Sequence, residues 1–265
     1  MLTDSHCHPY DLKRVFPGAE EERQRLNVLC AASATWPEEF AYNENLSRPG
    51  ILPCFAIHPQ LPASSTNVTE SELEHGLETL ESLAAQGRLA AVGETGFDLY
   101  NAAFKETEAV QDRLFAAHLE TALRHDLPVV IHARRAMHKI FAASKLLSKC
   151  RAVIFHSWSG TLDEGKALLG RSVNAFFSFG AVIMLNHKQA IQCAALFPQD
   201  RLLSETDAPY QPLRGQSFSH WADLPRIIET AAALRREAAS PCSDSVELEE
   251  RIEANFRAAF KIKNI

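Results

Sequence analysis

The sequence predicts an α/β chain folded as a (β/α)8 barrel. Three observations carry that expectation. About eight short apolar runs alternate with longer stretches of helical periodicity. The runs are apolar throughout, which suits parallel strands buried on both faces. Metal-capable residues also stand near the ends of several runs, and a barrel gathers such ends at one mouth. A chain of 265 residues is ordinary for one such domain, so residues 1–265 are read as a single domain. A doubly wound open sheet is the alternative arrangement of the same units.

The opening segment, MLTDSHCHPY, supplies the first strand. NVLCAAS (27–33), ILPCFAIHP (51–59), LAAVGETGFD (89–98) and LPVVIHAR (127–134) supply the next four. RAVIFHSWSG (151–160), SVNAFFSFG (172–180) and RLLSETDAPY (201–210) complete the series. Between them, 72–86 places Leu73, Leu77, Leu80 and Ala84 at helical spacing, and 107–126 does so with Val110, Leu114, Ala117 and Leu123. Two further helices are expected at 221–236 and 248–261, and the Ser- and Thr-rich stretch 62–69 reads as a loop.

Composition narrows the function. There are 33 acidic and 27 basic side chains, a formal net charge of -6. A broad grip on duplex nucleic acid rests on many Lys and Arg, so it is not expected here. A local pocket for one phosphate remains open, and a divalent metal would supply positive charge there. The six cysteines are scattered without a CxxC pair, and no basic and apolar leader opens the chain. No run is long and apolar enough to span a membrane. The expectation is a cytoplasmic protein with free thiols and no membrane partner.

The polar residues of the strand candidates point to metal chemistry. Asp4, His6 and His8 occupy every second position, which in a strand is one face. Glu94, His132, His156, Glu205 and Asp207 belong to four other runs. Four histidines with Glu94 and Asp207 exceed the needs of one tetrahedral site. They fit two divalent ions with Glu94 between them, an arrangement that activates water for hydrolysis. Nitrogen ligands favour Zn²⁺ or Mn²⁺, whereas carboxylates and phosphates suit Mg²⁺. GETG (93–96) is too short for a dinucleotide fingerprint. His58 ends the third run and faces the mouth of a barrel, in reach of substrate. Arg134 shares a face with His132 and is placed to hold a phosphate by two hydrogen bonds. Arg135 points elsewhere or begins the next helix, as a solvated charge. Trp158 either stacks on a base or caps the barrel. His75, His118 and His125 fall in helical stretches and read as surface or packing residues. His138 and His187 follow strand ends and are candidates to approach the mouth, and His220 is unplaced.

These stretches carry a resemblance. DSHCHPYD, FAIHP, AVGETGFDLY, LPVVIHARRA, VIFHSWSG and LLSETDAPY resemble, in order, the motifs of the TatD family of metal-dependent deoxyribonucleases, and NFRAAF (255–260) resembles its closing helix. The resemblance implies that His6, His8 and Asp207 bind one metal, that His132 and His156 bind a second, and that Glu94 bridges them. It implies that Asp207 also meets the attacking water, with Asp4 and Glu205 supporting the site, and that His58 and Arg134 meet the phosphate. The activity implied is Mg²⁺-dependent removal of nucleotides from DNA strand ends, in the 3′–5′ direction. Three departures touch the substrate rim. Arg135 stands where the family often has an acid, HSWSG replaces its usual His-Cys-Phe-Ser-Gly, and 214–225 lacks its Asn-x-Pro element. Two other readings share the residues: a barrel hydrolase for a small phosphoester, lactone or amide, and a non-catalytic protein that keeps the fold.

Overall fold

The computed structural model describes residues 1–46, 50–63 and 68–262. Eight strands form one sheet in sequence order: β1 (Thr3–Cys7), β2 (Leu29–Ala32), β3 (Ile51–Phe55), β4 (Ala91–Asp98), β5 (Val129–Arg134), β6 (Val153–Phe155), β7 (Ala175–Phe179) and β8 (Leu202–Ser204). Every neighbouring pair from β1–β2 to β7–β8 is parallel. The ends meet through backbone bonds just beyond the strands: Asp207 N donates to His6 O (3.0 Å), and His8 N donates to Ala208 O (2.7 Å). The expected barrel is therefore the observed architecture.

The strands are buried on both faces, as their apolar runs require. One set of side chains, including Leu29, Cys54, Ala91, Val130, Ile154, Phe176 and Leu203, packs with Phe256, Ala259 and Phe260 of the last helix. Neighbouring strand residues, including Phe55, Val92, Ile131, Phe155 and Phe177, face the larger core shared with the surrounding helices. The last helix covers the end where the strands begin and leaves the other end to polar residues.

The helices begin where local chemistry allows. Helix Glu70–Ala85 starts two residues before the expected position because Thr69 and Glu72 cap it reciprocally: Thr69 N donates to Glu72 Oε2 (2.7 Å), and Glu72 N to Thr69 Oγ1 (3.3 Å). Helix Ser245–Ala259 likewise starts early, because the Asp244 carboxylate accepts from Val246 N and Glu247 N. Helix Glu108–Arg124 matches its expected span, whereas residues 221–223 form a 3-10 turn ahead of helix Leu224–Glu237. Short helices such as Pro9–Val15 and Pro37–Asn45 escaped the periodicity because each runs for only two turns or so; Pro at their first position marks them. Of the expected loop at 62–69, residues 64–67 lie outside the described residues, and 62–63 belong to a 3-10 turn. All six cysteines are free and buried. Among the described residues no helix is long and apolar enough to cross a membrane.

Candidate metal centre

Five strands feed the polar end, each in its own way. His6 lies in β1 and is fully buried, whereas His8 has left the strand and caps helix Pro9–Val15. Glu94 sits in the middle of β4, not at its end, at an irregularity in the β4–β5 register between Val92 and Thr95. A β-carbon at Gly96 (φ 133°) would collide with the carbonyl oxygen of His132, so GETG lets β4 lie close against β5. His132 belongs to β5, and His156 directly follows β6. Glu205 and Asp207 follow β8, and Asp207 takes a left-handed backbone (φ 54°).

Glu94 lies at the centre. Its Oε1 is 2.7 Å from His132 Nδ1 and 3.3 Å from His156 Nε2. Its Oε2 is 3.1 Å from His6 Nε2, 3.4 Å from His58 Nε2 and 3.8 Å from His8 Nε2. Asp207 Oδ1 is 3.5 Å from both His6 Nε2 and His8 Nε2, which themselves approach to 3.0 Å. Three groups bring their donor atoms within 4.8 Å of one another: His6, Glu94 and His156; His6, His8 and Asp207; His58, Glu94 and His132.

Second partners aim several of these atoms. His132 Nε2 sits 3.1 Å from Asp98 Oδ2, which leaves Nδ1 for Glu94. His6 Nδ1 sits 3.2 Å from Ser33 Oγ, which leaves Nε2 free to face inward. His156 Nδ1 is 3.2 Å from Glu205 Oε1 but off the line of a hydrogen bond, so it is a buried nitrogen without a bonded partner among the described residues. His58 behaves differently. Its Nδ1 accepts from Gln60 N (3.2 Å), so the neutral ring carries its proton on Nε2 and presents a donor rather than a lone pair. Gln211 Nε2 donates to Asp207 Oδ2 (2.7 Å) and to Ser157 Oγ (2.7 Å), leaving Asp207 Oδ1 toward the histidines.

The electrostatics reflect this crowding. Burial opposes ionisation of Glu94, but His58, His156 and His6 outweigh it and hold the carboxyl well below its ordinary range. Burial likewise opposes ionisation of Asp207, yet His156 and His8 bring it down to about 2. Burial disfavours the His156 imidazolium, but Glu205 and Glu94 push it up to about 10. His8 and His132 are raised against burial by Asp207 and by Asp98 with Glu94, respectively. His6 is lowered, by burial and by His156. Asp4 is fully buried and raised to about 7 by that burial, against bonds from Thr206 and His6 N. Anionic oxygens and imidazole nitrogens thus converge in a buried space with no cationic Lys or Arg among them. That donor set fits a divalent cation, which satisfies several of these atoms at once.

Each residue singled out in the sequence has its place. His6, His8, Glu94, His132, His156 and Asp207 come together. Asp4 is not among the converging groups: it lies two residues deeper in β1 than His6, and its carboxylate accepts from Thr206 Oγ1 (2.6 Å) and Thr206 N (3.0 Å). Glu205 and Asp207 also part company, since the chain is no longer extended there; Glu205 Oε1 accepts from Ser157 N and Oγ. Trp158 takes the packing role. It is 2% exposed and meets Phe155 and Phe177 edge to face, so its indole offers no open face for a base. Arg134 reaches the rim, exposed and 4.0 Å from Asp98 Oδ2. Arg135, expected to point elsewhere, joins it over the Tyr100 ring. His187 lines the mouth and caps a helix through Nδ1, whereas His138 lines an adjoining groove outside the mouth. His118 is buried against Thr95, and His220 pairs with Glu22. The sequence reasoning missed Asp98, Gln60 and Gln211. Asp98 had a signal, because positions 94, 96 and 98 share a face of β4.

The comparisons with known proteins agree with this geometry. The family description TatD related DNase matches residues 3–261.

The chain belongs to the TatD-related DNase family.

It is an enzyme of that family's metal-dependent hydrolase type. Among its TatD relatives, the chain is 32% identical over 192 residues to a 3′–5′ ssDNA/RNA exonuclease TatD of Pantoea vagans, covering 69% of this chain and 70% of that protein. It is 28% identical over 260 residues to the uncharacterized metal-dependent hydrolase YjjV of Escherichia coli K12, covering 92% and 93%. The crystal structure of that TatD homologue superposes with a TM-score of 0.83 at 24% identity, covering 99% of this chain and 98% of the other, which supports the barrel.

Proposed function

We propose that this TatD-family protein hydrolyses phosphodiester bonds at the ends of single-stranded DNA, releasing nucleotides in the 3′–5′ direction with two divalent ions, Mg²⁺ in the working enzyme and Zn²⁺ or Mn²⁺ as substitutes. One observation carries the reading. The two oxygens of Glu94 face different sets of nitrogens, Oε1 toward His132 and His156, Oε2 toward His6, His58 and His8. A carboxylate so placed would help to hold two ions, with Asp207 joining His6 and His8 on one side. Bound ions of this kind polarise a phosphoryl oxygen and lower the pKa of water.

The side chains do the rest. Asp207 is pinned by Gln211 and offers Oδ1 to orient the attacking water and accept its proton. His58 lines the mouth with its Nε2–H 3.4 Å from Glu94 Oε2, and would turn that donor to a phosphate oxygen once cations occupy Glu94. Arg134 stands at the rim and binds the phosphate as it enters. Asp98 holds the ring of His132 by a hydrogen bond, and Glu205 lies beside Nδ1 of His156 as its counter-charge. The name of the Pantoea vagans relative supports the strand-end substrate. A net charge of -6 also favours one local phosphate site over a long duplex grip. Six free buried thiols suit a reducing, cytoplasmic setting. The reading treats residues 1–265 as one catalytic domain.

The test is nucleotide release from end-labelled single-stranded DNA, with Mg²⁺, with chelator, and with a Glu94→Gln control. Release that survives chelation, or that Glu94→Gln leaves intact, overturns the proposal. The mouth encloses about 790 Å³, room for a small phosphoester as well. Turnover of dinucleotides or small esters while DNA ends are refused would replace the substrate and keep the metal chemistry.

A further inference from the structure

A second groove of about 750 Å³ lies beside the mouth and is walled in part by Tyr100, Arg134, Arg135 and His138. The two spaces are continuous, because Arg134, Ser159 and His187 line both. In an extended chain, Arg134 and Arg135 would point to opposite sides. Arg135 instead has a left-handed backbone (φ 54°), and both guanidiniums lie over one ring, 3.7 Å and 4.5 Å from the Tyr100 centroid. The ring therefore holds two like charges together that would otherwise separate.

Both cations keep most of their donors. Among the described residues Arg135 makes one hydrogen bond, Nη1 to Tyr100 O (3.3 Å), and pairs with no carboxylate. Among the described residues Arg134 has only Asp98, at 4.0 Å, and that carboxylate already accepts from Gln60 Nε2 (2.7 Å) and faces His132. One acid, Glu164, lines the groove, and its Oε2 is taken by Thr161 N (2.7 Å) and Thr161 Oγ1 (3.0 Å) at the start of its own helix. Tyr100, Arg135 and His138 are exposed. In a chain of net charge -6, an unneutralised pair of fixed guanidiniums on an aromatic platform has the chemistry of a backbone clamp for a single strand.

We propose that this groove is a subsite for the part of a single-stranded nucleic acid beyond the bond being cut, with Arg135 binding a backbone phosphate and Tyr100 fixing both guanidiniums. The inference rests on the strand-end reading above and adds to it a dependence on substrate length. A dinucleotide ends at the mouth, whereas a longer strand continues into the groove.

The experiment compares a dinucleotide with a single strand of roughly eight nucleotides. Wild type, Arg135→Glu and Tyr100→Ala are assayed with Mg²⁺, and binding of the labelled strand is followed by fluorescence anisotropy in chelator at several salt concentrations. For Arg135→Glu, KM for the longer strand rises about fivefold or more, with kcat and the dinucleotide KM unchanged. The salt dependence of binding becomes shallower by about 0.7 in log–log slope for the lost phosphate contact. Tyr100→Ala also loosens Arg134, so it raises KM for both substrates, and more for the longer strand. Variants indistinguishable from wild type, or equal losses for both substrate lengths, overturn the subsite and leave the strand-end activity standing. A wild-type protein that cleaves neither substrate overturns both proposals.

Discussion

Where the strands begin, Leu29, Ala91, Ile154 and Leu203 meet Phe256 and Phe260 of the last helix. Where they stop, His6, His8, Glu94, His132, His156 and Asp207 meet one another. The first end is held by burial, which has no direction and tolerates modest repacking. The second is held by aimed atoms, three of them fixed from behind: His132 by Asp98, His6 by Ser33, Asp207 by Gln211. Stability is thus concentrated at one end. The other holds crowded, buried titratable groups that a bound cation would satisfy.

Substitutions at each end sharpen or break that division. The largest effect is expected at the centre of the polar end. Glu94→Gln keeps the side-chain shape and should lower nucleotide release at least about a thousandfold, with the far-UV circular dichroism unchanged. Release within about tenfold of wild type would mean the cluster is not the reacting site. At the apolar end, Phe256→Ala should cost about 3–5 kcal/mol in urea unfolding, because it empties a fully buried site. The protein that remains folded should keep its kcat/KM; a matching loss of specific activity would show that the two ends are coupled.

Gln211→Ala tests the aiming of atoms at the mouth. It frees Asp207 Oδ2 without touching a proposed ligand, so Mn²⁺ affinity by titration calorimetry should fall about tenfold or more while the thermal midpoint in chelator hardly moves. Unchanged affinity would make that hydrogen bond incidental. The last effect vanishes at neutral pH and grows only in acid; it concerns His118, buried behind β4 and bonded to Thr95 Oγ1 (2.6 Å) and Ile57 N (3.3 Å). Burial lowers it to about 3, from an ordinary value of 6.5. The unfolded chain therefore binds a proton between these values and the folded chain does not. Its contribution to stability is complete above pH 6.5 and is lost as pH falls toward 3, by about 1.4 kcal/mol per pH unit at most. His118→Gln should flatten the acid limb of the stability profile in chelator; an unchanged limb would remove His118 from the account.

Much of this was legible in the sequence, since the strands are apolar runs and the metal-capable residues sit in or just after them. His6, Glu94 and His132 lie within strands and were found by position alone. Asp98 was equally regular, standing at the end of the same run as Glu94, but its role is to hold His132 from behind, and that appears only when β4 and β5 are side by side. Trp158 was ambiguous because an aromatic residue after a strand end serves a core or a ligand equally well. Its contacts with Phe155 and Phe177 settle it as core.

The sequence by itself determined the eight parallel strands and the chemical types gathered at their ends, because burial on two faces and a period of two are local properties of an extended chain. Only the tertiary structure decided which atoms face which. Arg135, Ser157, Asp207 and Gln211 all lie past their strands with left-handed backbones (φ 54°, 41°, 54° and 53°), and each such residue breaks the alternation and turns the next side chains in a new direction. That is why Arg135 joins Arg134 on Tyr100, why Glu205 and Asp207 separate, and why Gln211 reaches Asp207. A backbone turn of this kind is stabilised by distant partners, which one strand's residues do not reveal.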